Sequence, residues 1–124
     1  MLEPTHWTAV IIDDNPDNLD VVCAVLSFYG AVVHTALDAE EAFQILENVT
    51  PTFILLDISM PEVSGWDVLK AVRSHPSLDS VPVIALTAHA LVGDREKALA
   101  AGFDHYITKP FSMRTLIRDI QFCL

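Results

Sequence analysis

Cysteine, glycine and positive charge are all scarce in this chain of 124 residues: two cysteines, four glycines, and seven lysines and arginines together. Two cysteines cannot make the disulfide framework of a small secreted domain. Four glycines leave no Gly-rich loop to cradle a nucleotide or flavin, and there is no G-x-G-x-x-G. Seventeen acids outweigh the seven bases and give a formal net charge of −10. Such a surface repels phosphate backbones and anionic lipid, so no direct nucleic-acid or membrane contact is expected. No basic stretch precedes an apolar one at the N-terminus, and no uninterrupted apolar run approaches about 18 residues. The expectation is a cytoplasmic protein. His6, His34, His75, His89 and His105 have no metal-site spacing. What the chain does have is apolar residues, 52% of the total, with a mean hydropathy of +0.39. That composition supports a dense core, and this length supports a single domain over 1–124, its core beginning near residue 8.

Strand-like runs alternate with helical patterns five times. Thr8-Ala9-Val10-Ile11-Ile12 predicts a buried strand that ends in Asp13-Asp14. Asn15 then caps a helix with Pro16 at its first position, an apolar stripe of Leu19, Val22, Cys23 and Leu26, and Gly30 as its stop. Ala31 to Thr35 predicts a second strand, whose polar His34 and Thr35 are compatible with an edge position. Asp38 caps the next helix, with Glu41 completing a capping-box-like pattern and Ala39, Ala42, Phe43 and Leu46 facing inward. Phe53 to Leu56 is the third strand and ends in Asp57. Ser64 caps a helix with Val68, Leu69 and Val72; Trp66 is read as packing. Val81 to Leu86 is the fourth strand and ends at Thr87, with Pro82 tolerated near its start. A helix from about Gly93 to Ala101 has only a weak apolar stripe and stops at Gly102. Asp104 to Thr108 is the fifth strand, ending at Lys109-Pro110. Ser112 caps a last helix with Met113, Leu116, Ile117, Ile120 and Leu124 on one face. Strand–helix alternation of this kind builds an α/β fold, a parallel sheet with helices on both faces. The near-continuous apolar runs of strands one, three and four suit doubly covered central strands.

Open α/β sheets bind ligands at the carboxyl ends of their strands. Asp13, Asp14, Asp57, Thr87 and Lys109 are all expected there. Three carboxylates at one edge repel, by about 4 kcal/mol per pair at 4 Å and an effective dielectric of 20. Lys109 offsets one charge, and a divalent cation is the natural second. Hard carboxylate oxygens suit Mg²⁺, which retains waters beside one or two carboxylates; Mn²⁺ is an alternative occupant. A carboxylate can also attack phosphorus to give an aspartyl phosphate. That reaction needs a metal, a cation on the transferring oxygens and a hydroxyl donor. Asp57, Lys109 and Thr87 supply the nucleophile, the cation and the hydroxyl.

From about Thr8 to Leu124 the sequence resembles a response-regulator receiver domain of two-component signalling, of the chemotaxis-receiver type. The motifs are Asp13-Asp14, Asp57-Ile-Ser-Met60-Pro61-Glu-Val-Ser-Gly65, Thr87-Ala88 and Lys109-Pro110. Each is weak alone; all four in order, at the ends of the right strands, are specific. The resemblance implies a flavodoxin-like, doubly wound five-stranded sheet of order 2-1-3-4-5 with five helices. It implies Asp57 as phosphoacceptor, with Mg²⁺ held by Asp14, Asp57 and the Ser59 backbone carbonyl and by Asp13 through water. Thr87, Lys109 and the backbone N–H groups of Ser59 and Ala88 would contact the phosphoryl oxygens. Tyr106 would be a rotameric switch coupled to Thr87, and Ser59 and His89 would tune dephosphorylation. The Lys109-Pro110 bond would be cis.

The implied partners are a histidine kinase or histidine phosphotransfer protein, docking on the first helix and the Pro110-Phe111 loop, and a downstream protein on the face of helix four, strand five and helix five. The chain is read as a stand-alone switch or relay. It is not a metabolic enzyme, although it would catalyse its own phosphorylation and slow dephosphorylation. Three other readings fit less well. A haloacid-dehalogenase-type phosphatase has Asp-x-Asp after its first strand, whereas this pair is adjacent. A flavodoxin-like carrier would need a Gly-rich cradle. A pseudo-receiver would lack an acid, the Thr or the Lys, and all are present.

Overall fold

The computed structural model describes residues 3–57, 65–87, 94–108 and 112–124. Within them five strands form one sheet: β1 (Thr8–Ile12), β2 (Val32–Ala36), β3 (Phe53–Asp57), β4 (Val83–Thr87) and β5 (His105–Thr108). The helices are α1 (Pro16–Phe28), α2 (Ala39–Leu46), α3 (Gly65–Arg73), α4 (Asp94–Ala101) and α5 (Met113–Cys123). All strand pairs are parallel, in the order β2-β1-β3-β4-β5. This is the doubly wound, flavodoxin-like arrangement.

Strand alternation divides the core in two. Ala9, Ile11, Phe53, Leu55, Ile84, Leu86 and Ile107 pack with α1 and α5 on one face of the sheet. Val10, Ile12, Ile54, Leu56, Val83, Ala85 and Tyr106 pack with α2, α3 and α4 on the other. Every residue of β3 and β4 is buried, as apolar runs covered on both sides require. The edge strand β2 is buried only at Ala36.

The helix starts follow the sequence chemistry. Asn15 Oδ1 accepts the N–H groups of Asp17 (2.9 Å) and Asn18 (3.4 Å), and Pro16 occupies the first turn. Asp38 accepts the Glu41 N–H at 2.8 Å. The Glu41 carboxylate returns to the Leu37 N–H at 3.2 Å, one residue before the cap. Ser112 and Thr115 complete a reciprocal box at α5. Both predicted glycine stops stand at positive φ, Gly30 at 94° and Gly102 at 116°. Each closes its helix with a pair of carbonyl bonds, Gly30 to Ser27 and Ala31 to Leu26, and Gly102 to Leu99 and Phe103 to Ala98.

Several expected boundaries move. The second strand begins at Val32, because the Ala31 N–H is spent on closing α1 at Leu26 while that of Val32 reaches Trp7. The fourth strand begins at Val83. A 3-10 turn at Pro76–Leu78 takes the Val81 N–H, and Pro82 has none to offer the ladder. The fifth strand begins at His105, since the Asp104 carboxylate turns back to accept the Val83 N–H (2.8 Å) and Arg73 Nη2 (2.6 Å). Asp57 lies inside β3, paired in register with Leu86. Cys23 is half-buried rather than core; Val25 takes the inward position on α1. Leu124 is likewise half-buried at the end of α5. Cys123 packs on the α1/α5 face, and both cysteines are free thiols. The Ser64 cap lies outside the described residues, as do the side chains of Trp66 and Met113.

Candidate functional site

At the carboxyl end of the sheet the core stops being apolar. Asp13, Asp57 and Thr87 are the buried polar or charged side chains among the described residues, only 2%, 4% and 1% exposed. They come from three adjacent central strands. Burial of charge at this edge follows from chain direction: β3 and β4 end there in Asp57 and Thr87, and Asp13 directly follows the end of β1.

Local bonding fixes the acidic pair. The Asp13 N–H donates to the Ala36 carbonyl (3.1 Å), holding the end of β1 against β2. Asp13 Oδ1 accepts the Asn15 N–H at 3.0 Å, an Asx-type turn that leads straight into the Asn15 cap. One carboxylate oxygen of Asp13 is thus engaged by the backbone, and Asp14, next in sequence, stands exposed. Asp13, Asp14 and Asp57 each place a carboxylate oxygen within 4.8 Å of the others. That spacing of hard oxygen donors, two buried and one facing solvent, fits a divalent cation.

Thr87 ends β4 one residue beyond Leu86, the register partner of Asp57. Tyr106 on β5 is opposite Ala85, so Thr87 and Tyr106 lie on the same face of the sheet, two residues apart along the ladder. Tyr106 is buried in the cluster that includes Ala98 of α4. Ala98 is buried and Leu99 is 40% exposed, in keeping with the thin stripe read for α4. Lys109, Ser59, Ala88 and His89 lie outside the described residues, as does the Lys109-Pro110 bond.

The sequence model of the response regulator receiver domain matches residues 9–121. The chain belongs to the response regulator receiver domain family. Receiver domains are phosphorylation-dependent switches of two-component signalling, and this chain is one of them. It is 40% identical over 116 residues to an uncharacterized 14.6 kDa protein of Leptolyngbya boryana, covering 93% of this chain and 88% of that one. It is 38% identical over 115 residues to the probable transcriptional regulatory protein TcrX of Mycobacterium tuberculosis, covering 92% of this chain but 48% of TcrX. Its receiver fold therefore spans most of the first relative and about half of the second. Among solved structures, the receiver domain of a sensor histidine kinase from Pseudomonas aeruginosa PAO1, with a magnesium ion coordinated in its active site cleft, aligns at a TM-score of 0.83 with 35% identity, covering 94% of this chain and 95% of that one.

Sequence reasoning missed an anchor at the opposite pole of this receiver. Arg73, at the end of α3, bonds the carbonyls of Val81 (3.0 Å) and Leu78 (3.4 Å) and pairs with Asp104 at 2.6 Å. These bonds tie α3 to the start of β4 and to the turn before β5, the two strands that carry Thr87 and Tyr106. No local pattern announces it, since the partners stand 31 residues apart. Trp7 was also missed. It is buried edge-on against Phe53, with ring centroids 5.4 Å apart, at the amino end of the sheet.

Proposed function

We propose that Asp57 accepts a phosphoryl group from a phosphohistidine of a histidine kinase or phosphotransfer protein, and that Mg²⁺ assists. The observation carrying this reading is the meeting of three carboxylates within 4.8 Å at the sheet edge where buried Thr87 also ends. A cation held by Asp14, Asp57 and the Ser59 carbonyl, with Asp13 acting through water, would neutralise charge on the transferring oxygens. The engagement of Asp13 by Asn15 supports that indirect role, and the exposure of Asp14 supports direct ligation.

In the transfer, an Asp57 carboxylate oxygen attacks phosphorus. The O–P bond forms, the P–N bond breaks, and its electron pair leaves on the imidazole nitrogen. Lys109, the Thr87 hydroxyl and the N–H groups of Ser59 and Ala88 hold the phosphoryl oxygens. Water later attacks phosphorus and releases the Asp57 carboxylate; Ser59 and His89 set the access of that water. Phosphorylation gives Thr87 a charged acceptor, and charge-assisted bonds are the stronger kind. Thr87 and Tyr106 share a sheet face, so a shift of Thr87 toward phosphate changes the space open to Tyr106 and favours an active arrangement of α4, β5 and α5. A downstream protein reads that face. The phosphodonor docks on α1, where Pro16 and Asp20 are exposed and Asn18 half-exposed, and on the Pro110-Phe111 loop. The domain works in the cytoplasm, as a single unit over 1–124.

Incubation with acetyl phosphate and Mg²⁺, followed by intact-mass analysis, tests the assignment. One phosphoryl addition is expected on the wild type and none on Asp57→Asn. Addition to Asp57→Asn at the wild-type rate would refute it.

A further inference from the structure

The pole of the sheet opposite Asp57 carries a cleft that phosphotransfer does not use. α2 starts beside the carboxyl ends of the strands and runs back toward the start of β3, and the Pro76–Leu78 turn leads into β4 at that same pole. Between them lies a cavity of about 330 Å³, lined by Phe43, Leu46, Glu47, His75, Ser77 and Leu78. That volume stands at the lower end of the range for small-molecule sites. Leu78 is buried and Phe43 and Leu46 are half-buried, so they form the floor. Glu47, His75 and Ser77 are exposed and form the rim. An apolar, aromatic floor with a few polar groups is the ordinary make-up of a ligand pocket.

The backbone of both walls is fixed by its own bonds. The Glu47 N–H donates to the Phe43 carbonyl (3.1 Å), the His75 N–H to Val72 (3.1 Å) and the Leu78 N–H to His75 (3.0 Å). Arg73 Nη1 donates to the Leu78 carbonyl at 3.4 Å. Walls already in place lower the ordering cost of a ligand. The Phe43 and His75 rings join the two walls, their centroids 5.8 Å apart and their planes inclined at 37°. A third ring can pack on that pair at the usual centroid spacing of roughly 4.5–7 Å. Charge then selects the ligand's sign. Glu47 is the carboxylate of the lining, and no lysine or arginine lines the cleft. Among the described residues Glu47 makes no ion pair, and Arg73, behind Leu78, is committed to Asp104 at 2.6 Å. The net charge of −10 adds a long-range attraction for cations.

We propose that this cleft binds a small aromatic amine. The ring packs on Phe43 and His75 above Leu46 and Leu78, and the ammonium group pairs with Glu47 at the rim, where the Ser77 hydroxyl is a second acceptor. The ligand stands at the pole away from the acidic cluster, so it leaves Asp13, Asp14 and Asp57 open to a metal ion.

The test uses 2-phenylethylamine, with 2-phenylethanol as its neutral counterpart and n-butylamine as a cation without a ring. NMR titration from about 0.1 to about 20 mM spans the affinity of a ligand this small. The expected result is saturable shifts at Phe43, Glu47, His75 and Leu78, with a dissociation constant of about 1 mM. The alcohol should bind about threefold more weakly, the worth of an exposed charge pair, and n-butylamine about tenfold more weakly or less. Glu47→Gln should bring the amine down to the level of the alcohol and leave the alcohol unchanged. Ser77→Trp, made at the exposed rim, fills the cleft and should remove the saturable shifts of both. Circular dichroism verifies folding of each variant. Absence of saturable shifts refutes the proposal. So do shifts centred on Asp13, Asp14 and Asp57, which make the amine a counterion of the acidic cluster. Equal affinity for amine and alcohol, an amine preference that survives Glu47→Gln, or binding that persists in Ser77→Trp refutes it as well.

Discussion

Replacing Asp13 by Asn removes one charge from the acidic cluster and keeps the local geometry. The Asn side-chain oxygen can still accept the Asn15 N–H that Asp13 Oδ1 accepts at 3.0 Å. What changes is electrostatic. Asp13 and Asp57 are both buried, with carboxylate oxygens within 4.8 Å. Two unit charges at that separation repel by about 3.5 kcal/mol at an effective dielectric of 20. Solvent on the exposed Asp14 side screens the pair, so the expected net gain is smaller, about 1–3 kcal/mol in metal-free buffer at neutral pH. Urea titration in the presence of a chelator reads it as a higher midpoint with an unchanged slope. Saturating Mg²⁺ should narrow the difference. The wild type gains about 2.7 kcal/mol when free ion reaches about 100 times its dissociation constant, and the variant, with one acid fewer, gains less. Destabilisation by Asp13→Asn without metal would mean that bonds specific to the carboxylate outweigh its repulsion. Equal stabilisation of both proteins by Mg²⁺ would remove Asp13 from the cation's surroundings.

Two further outcomes follow from single residues. An Ala at Gly30 must adopt a φ of 94° and place its Cβ 2.8 Å from Thr5 Cγ2, whereas at Gly102 the nearest atom is Leu69 Cδ2 at 3.8 Å. Each change should cost about 1–2 kcal/mol for the backbone alone. Thermal melts should show the greater loss for Gly30→Ala, with Thr5→Ser relieving part of it; equal losses would refute the contact. The Cys123 thiol is pushed up to about 11 by burial first and then by the nearby charges of Asp119 and Asp104. Its folded value exceeds its unfolded one, so its contribution to stability is complete below about pH 9 and is lost as pH rises through about 11. At pH 8, alkylation followed by peptide mass analysis should find Cys123 modified more slowly than it is in the urea-unfolded chain.

Much of this protein is legible without coordinates because its signals are local. A cap such as Asn15, a stop such as Gly30 and an apolar run such as Phe53 to Leu56 act through neighbouring backbone atoms. Strand alternation then sorts side chains between the two faces. The polar residues at the ends of β3 and β4 and just after β1 were visible for the same reason: in a parallel sheet every strand runs out at the same edge. The boundaries that moved did so where a backbone or side-chain polar group had two possible partners. The Ala31 N–H closes α1 instead of opening β2, and the Asp104 carboxylate serves Val83 and Arg73 ahead of β5.

What tertiary structure alone decided is the set of long-range coincidences. The sequence by itself determined which residues are acidic and that Asp13, Asp57 and Thr87 stand at or just past strand ends. It could not show that Asp13, Asp14 and Asp57 place oxygens within 4.8 Å, since that depends on β1 and β3 being neighbours. The same holds for Tyr106 opposite Ala85, and for Arg73 reaching Asp104 across 31 residues. Periodicity fixes which way a residue faces along its own element. Distance between elements is set only when the sheet order and helix packing close, and the chemistry of the site depends on that distance.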